Sequence, residues 1–114
     1  MTVEQIVQQL DLEVTAAGEQ LDTEVTGGYG GDLISAVMAN ARQGNIWVTW
    51  HVHPNIVAAG LVVKLAAIIL VSGREPEQET IHKADEEGMP ILVSDLPTFE
   101  IIGKLHEMGI SGVQ

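Results

Sequence analysis

At 114 residues the chain has room for one domain with a respectable core, and a hydrophobic share of 46% argues against disorder. Its formal charge of -11, from 16 acids against 5 bases, excludes nucleic acid or an anionic membrane as a natural partner, because such surfaces are held by clustered Lys and Arg. The absence of cysteine removes disulfides, thiolate metal sites and a cysteine nucleophile together.

The start, Thr2-Val3-Glu4-Gln5, is acidic and amphipathic rather than leader-like. The longest apolar stretch, residues 56–71, is interrupted by Gly60 and Lys64 and is shorter than the roughly 20 residues a bilayer needs. A soluble cytoplasmic protein is expected.

Thr2 and Gln5 form a capping-box pattern, and Val3, Ile6, Val7 and Leu10 recur at helical spacing, which predicts a short first helix. Residues 12–16 read as a short strand, 18–22 as a turn and 23–26 as a second short strand. Gly27, Gly28, Gly30 and Gly31 surround Tyr29, and Asp32 stands as an N-cap for a helix with Leu33, Ile34, Val37, Met38 and Ala41 on its apolar face, closed by Gly44. Glycines before a helix let backbone N–H groups approach phosphate, or simply make a flexible turn; neither P-loop nor G-x-G-x-x-G spacing is present.

The centre of the chain is an apolar run (46–52), a helix-length stretch opening at Pro54 and a second apolar run (67–71), the pattern of a parallel βαβ unit. Pro76 is placed at the first position of the next helix among Glu75, Glu77 and Glu79, with Ile81 and Ala84 inward and Gly88 as its stop. Residues 89–93 read as a strand. Asp95 and Thr98 then mark the turn into a last helix carrying Phe99, Ile101, Ile102, Leu105 and Met108. The sum is a single α/β layered domain over 1–114, with a mostly parallel sheet flanked by helices.

Ligands of open parallel sheets bind outside the carboxyl ends of the strands. The candidate ligand-binding residues are therefore Gly28, Gly30, Gly31 and Asp32; His51, His53 and Asn55; Ser72, Gly73 and Arg74; and Asp95 and Thr98. Arg74 could clamp a phosphate or carboxylate, or pair with the nearby glutamates. His51 and His53, two apart on a strand, would share a face; no third ligand stands at diagnostic spacing, so turn histidines bonded to backbone are favoured over a metal site. No serine has nucleophile-elbow context and no carboxylate pair stands out, so no catalytic residue and no cofactor is assigned. Trp47 and Trp50 fall on opposite faces, one for the core and one for the surface. The helix after Pro54 is apolar nearly all round and asks for cover on both sides, which suggests a homodimer.

The segments 12–31, L-A-A-I-I-L-V-S-G-R-E-P (65–76), G-M-P-I-L-V-S-D (88–95) and P-T-F-E-I-I-G-K-L (97–105) together resemble the DRTGG domain family. Where members attached to phosphate acetyltransferases or regulated pyrophosphatases carry G-D-R-[TS], this chain has His51-Val52-His53-Pro54-Asn55, and the usual T-G-G is Ser72-Gly73-Arg74. The chain thus looks like a stand-alone branch. The resemblance implies a fold similar to the N-terminal domain of the phosphocarrier-protein serine kinase; without a P-loop, kinase activity is not expected. It also implies a non-catalytic regulatory domain, a homodimer that senses a nucleotide or other small anionic metabolite. The alternative from a different class is an accessory subunit that docks a larger metabolic or redox enzyme and has no ligand.

Overall fold

The computed structural model describes residues 1–112. Five helices and five strands follow one another as α1 (Val3–Leu10), β1 (Glu13–Ala16), β2 (Gly27–Gly30), α2 (Ile34–Asn40), β3 (Asn45–Thr49), α3 (Asn55–Val63), β4 (Ala67–Leu70), α4 (Gln78–Glu87), β5 (Ile91–Val93) and α5 (Thr98–Glu107). The strands form one sheet in the order β1-β5-β4-β3-β2. All neighbours are parallel except β1, which runs antiparallel to β5.

Strand alternation divides the core in two. Ile46, Val48, Ile69 and Leu92 point to the face covered by α1 and α5, where they meet Val3, Ile6, Ile101 and Leu105. Trp47, Ile68, Leu70 and Ile91 point to the opposite face, against Val37 of α2, Ile56, Val57 and Ala59 of α3, and Ala84 of α4. Every residue of β3, β4 and β5 is buried, as expected of strands covered on both faces, and each such aliphatic side chain contributes about 1.5–3 kcal/mol.

Local signals in α1 act as the sequence predicts. Thr2 Oγ1 accepts from the Gln5 N–H at 3.2 Å and Gln5 Oε1 accepts from the Thr2 N–H at 2.8 Å, a complete capping box.

Elsewhere the expectations shift. Only Glu24, bridging to Thr2, pairs within residues 23–26, and the strand begins at Gly27 instead. The cap of α2 is Leu33 rather than Asp32, and its end is at Ala41, leaving Gly44 to make the turn into β3 at φ +83°. Pro76 lies before α4, whose N-cap is Glu77. The last helix opens at Pro97 without a side-chain cap, so neither Asp95 nor Thr98 caps it. α3 packs between α2 and α4 of the same chain, which supplies the cover its apolar sides require. Among its large apolar residues only Val62 is left strongly exposed.

Candidate functional site at the carboxyl rim

Parallel β2 to β5 send four turns to one rim: 31–33, 50–54, 71–77 and 94–97. Antiparallel β1 brings Glu13 to the same rim, because Glu13 is in register with Val93 at the end of β5.

The 31–33 turn is braced onto β3 by Asp32. Its Oδ1 accepts from Thr49 Oγ1 at 2.8 Å and from the Trp50 N–H at 2.8 Å. His51 Nε2 donates to the Asp32 carbonyl oxygen, which fixes the proton on that nitrogen. His53 Nδ1 accepts from the Asn55 N–H at 3.1 Å across the start of α3. His51 and His53 lie in the turn beyond β3 rather than on the strand, and each is committed to a backbone partner. Among the described residues no group of three or more His, Asp or Glu side chains could hold a metal ion.

The 71–77 turn is tight. Ser72 and Gly73 both take positive φ, +59° and +67°, and the Arg74 N–H closes on the Val71 carbonyl at 3.1 Å, the geometry of a type I′ turn. Its outer amides are occupied: Ser72 N–H donates to Leu96 O and Gly73 N–H to Ser94 O, both at 2.8 Å. These amides therefore form no anion cradle. The turn instead throws Arg74 across the mouth of β3, where its guanidinium carbon lies 3.7 Å from the centre of the Trp50 ring. Arg74 makes no ion pair with a glutamate among the described residues; it is stacked on indole.

Beside this stack is a carboxylate group formed by Glu13, Glu75 and Asp95. Partial desolvation, a hydrogen bond with Glu13, and the charges of Glu13 and Asp95 hold the Glu75 carboxyl above its usual value of 4.5. Gly73 suits this position by its positive φ of +67°, and a Cβ there would stand a tight 3.2 Å from Asp95 Oδ1.

The rim thus collects Gly31, Asp32, His51, His53, Asn55, Ser72, Gly73, Arg74 and Asp95. It leaves out Gly28 and Gly30, whose missing side chains make room for Ile110 and Ile102 on the α5 side, and Thr98, which belongs to the outer surface of α5. The glycine run is thus an edge strand and makes no phosphate loop. Trp50 is the residue that sequence reasoning kept outside the site; its place directly after β3 was the available signal. Glu13 gave none, because its arrival at the rim depends on the reversed direction of β1.

A model of the DRTGG domain matches residues 5–108. The chain belongs to the DRTGG domain family. A similar solved structure is the CBS and DRTGG regulatory region of Clostridium perfringens pyrophosphatase, crystallised with its activator, diadenosine tetraphosphate. This DRTGG domain superposes on it with a TM-score of 0.68 at 15% identity, over 90% of the present chain. It spans 44% of that structure, and at this identity the likeness speaks for the fold. No curated protein matches the chain. Among the described residues no helix is long and apolar enough to cross a membrane.

Proposed function

We propose that this DRTGG domain is a cytoplasmic, non-catalytic regulatory module, acting as a homodimer, that binds a nucleotide or other small anionic metabolite at the carboxyl rim. The observation that carries the reading is the Arg74–Trp50 stack: a guanidinium laid on indole keeps its N–H donors in plane and pointed outward, available to phosphate or carboxylate. Trp50 remains 51% exposed, enough ring to meet a planar base. The family supports a regulatory role, and the Clostridium region was solved with a dinucleotide activator, although it contains CBS domains as well.

The acidic neighbours set the terms of recognition. Asp32, Glu75 and Asp95 oppose an anion, so the ligand must be placed by Arg74 and by stacking rather than by the field of the protein. The test is a thermal-shift titration at fixed protein concentration with adenine and guanine nucleotides, diadenosine tetraphosphate and acetyl phosphate. A saturable rise is expected, about 2.7 kcal/mol of added stability when the ligand is at 100 times its Kd, lost in Arg74→Ala. A flat response over the whole panel would overturn the sensor reading and favour the accessory-subunit alternative.

A further inference from the structure

The stack of Arg74 on Trp50 has a limit set by its surroundings: nothing beside it is built to take a second negative charge. The chain has 5 Lys and Arg in all. Arg42 and Lys64 stand in the turns before β3 and β4, at the opposite end of the sheet. Lys83 is in the second half of α4 and Lys104 in the last turn of α5, and both helices lead away from the rim. Of these five side chains, Arg74 alone reaches the mouth of β3.

The backbone adds little. Phosphate chains on parallel sheets are cradled by free amides at strand ends and helix starts. Here the Trp50 N–H is held by Asp32, and the His51 N–H by Thr49 Oγ1 at 3.3 Å. At the start of α3 the Asn55 N–H is held by His53 Nδ1, and the Ile56 N–H by the His53 carbonyl at 3.1 Å. The amides of residues 72–74 are closed inside their turn, and the Leu96 N–H lies on Ser94 Oγ at 3.0 Å. α4 opens among Glu75, Glu77 and Glu79, whose charge opposes the attraction of the helix end for an anion. His53, accepting at Nδ1, is a neutral ring.

We infer that the rim selects a singly charged ligand, a planar ring bearing one phosphodiester or one carboxylate, over nucleoside diphosphates and triphosphates. The inference rests on the sensor reading above and deepens it by naming the charge and class of the ligand. One edge of a guanidinium presents two parallel N–H donors, and a phosphodiester or carboxylate presents two oxygens that share one charge, so a single group completes the fit. Each further phosphate finds no donor and meets Asp32, Glu75 and Asp95 instead, at a cost that grows with every charge added. Stacking on the exposed part of Trp50 is indifferent to phosphate number. Affinity therefore falls as phosphates are added to one base, whereas a site that cradles phosphates gains with each.

Isothermal titration calorimetry of the full chain tests this, at fixed ionic strength and with EDTA to keep divalent cations off the phosphates. Cyclic AMP, AMP, ADP and ATP form one series and their guanine counterparts a second; nicotinate against quinolinate compares one carboxylate with two. The singly charged member should bind tightest in whichever series binds, with the Kd of the triphosphate about 10-fold or more above that of the cyclic monophosphate. Which series binds separates a nucleotide from an aromatic acid. Arg74→Ala should abolish binding of every member. Glu75→Lys, an exposed change beside Arg74, supplies the missing second cation and should narrow or reverse the ratio, an effect that mere loosening of the turn would not produce. Circular dichroism reports whether each variant remains folded. Affinity that rises from cyclic monophosphate to triphosphate, or a ratio unmoved by Glu75→Lys, would overturn the charge selection and leave the sensor reading standing. Binding of none of the probes would overturn the sensor reading itself, and the charge selection with it.

Discussion

Arg74 is positioned by a turn whose conformation only a small set of residues tolerates. Ser72 at φ +59° is strained for a residue with a Cβ, and at Gly73 a Cβ would meet both the positive φ of +67° and a tight 3.2 Å approach to Asp95 Oδ1. Gly73→Ala should therefore destabilise by about 1–3 kcal/mol and release Arg74 from Trp50, read together by thermal melting and ligand titration. Trp50→Ala is the complementary change: half-exposed, it should cost at most about 1 kcal/mol of stability while weakening ligand binding. With Trp47 fully buried and Trp50 at the rim, ligand quenching of indole fluorescence should vanish in Trp50→Phe. Glu75 adds a pH dependence. Its folded pKa is raised, so the folded state holds more protons than the unfolded one in the window just above 4.5. Stability from this group is complete below 4.5 and is lost as pH rises through the folded value. Glu75→Gln should flatten that loss, and at neutral pH it should strengthen anion binding by about 1 kcal/mol or less, the scale of exposed charge pairs. A binding constant unchanged by Glu75→Gln would place the anion away from this turn.

Among the elements, β2 departs furthest from its composition. A glycine-rich run is a poor strand former, yet residues 27–30 pair in parallel register with β3 because α5 and the 110–112 segment approach too closely for side chains. A Cβ on Gly27 would stand 2.9 Å from the Ser111 carbonyl oxygen and 3.1 Å from Asn45 Nδ2. On Gly30 it would meet the side chain of Ile102, Cδ1 at 2.6 Å and Cγ1 at 3.6 Å, which can rotate aside. Gly27→Ala should accordingly destabilise more than Gly30→Ala, by about 1–3 kcal/mol in a chemical-denaturation series. Gly44 is constrained twice over, by φ +83° and by Thr26, whose hydroxyl is held by Gln43 and Asn45. The opposite sign is expected in α5. Gly103→Ala, inside a helix and in open space, should raise stability by about 0.5–1 kcal/mol.

For the whole molecule, the excess of 16 acids over 5 bases acts as a uniform repulsion on the folded state. Melting temperature at neutral pH should rise as NaCl is added, before any ligand is present; a salt-independent value would mean that the acids are already locally balanced. On the function proposed above, an anion is held at the rim against this excess by one stacked cation, Arg74 on Trp50.

How much of this was legible depends on how local each signal is. The capping box at Thr2, the βαβ run through β3, α3 and β4, and the Gly88 stop at φ +72° depend on neighbours a few residues away, and the chain alone determined them. The apolar residues 46–48 and 67–70 gave β3 and β4 as parallel strands, and their burial on both faces is seen in the fold. The rim's membership came from a topological rule, which is why Asp32, His51 and Arg74 could be named together. Their partners could not. That Asp32 braces β3 instead of capping α2, that Arg74 settles on Trp50 instead of a glutamate, and that β1 reverses to deliver Glu13 are choices among competing contacts of similar local worth. Only the tertiary structure decides them, because packing across the sheet determines which partner is within reach.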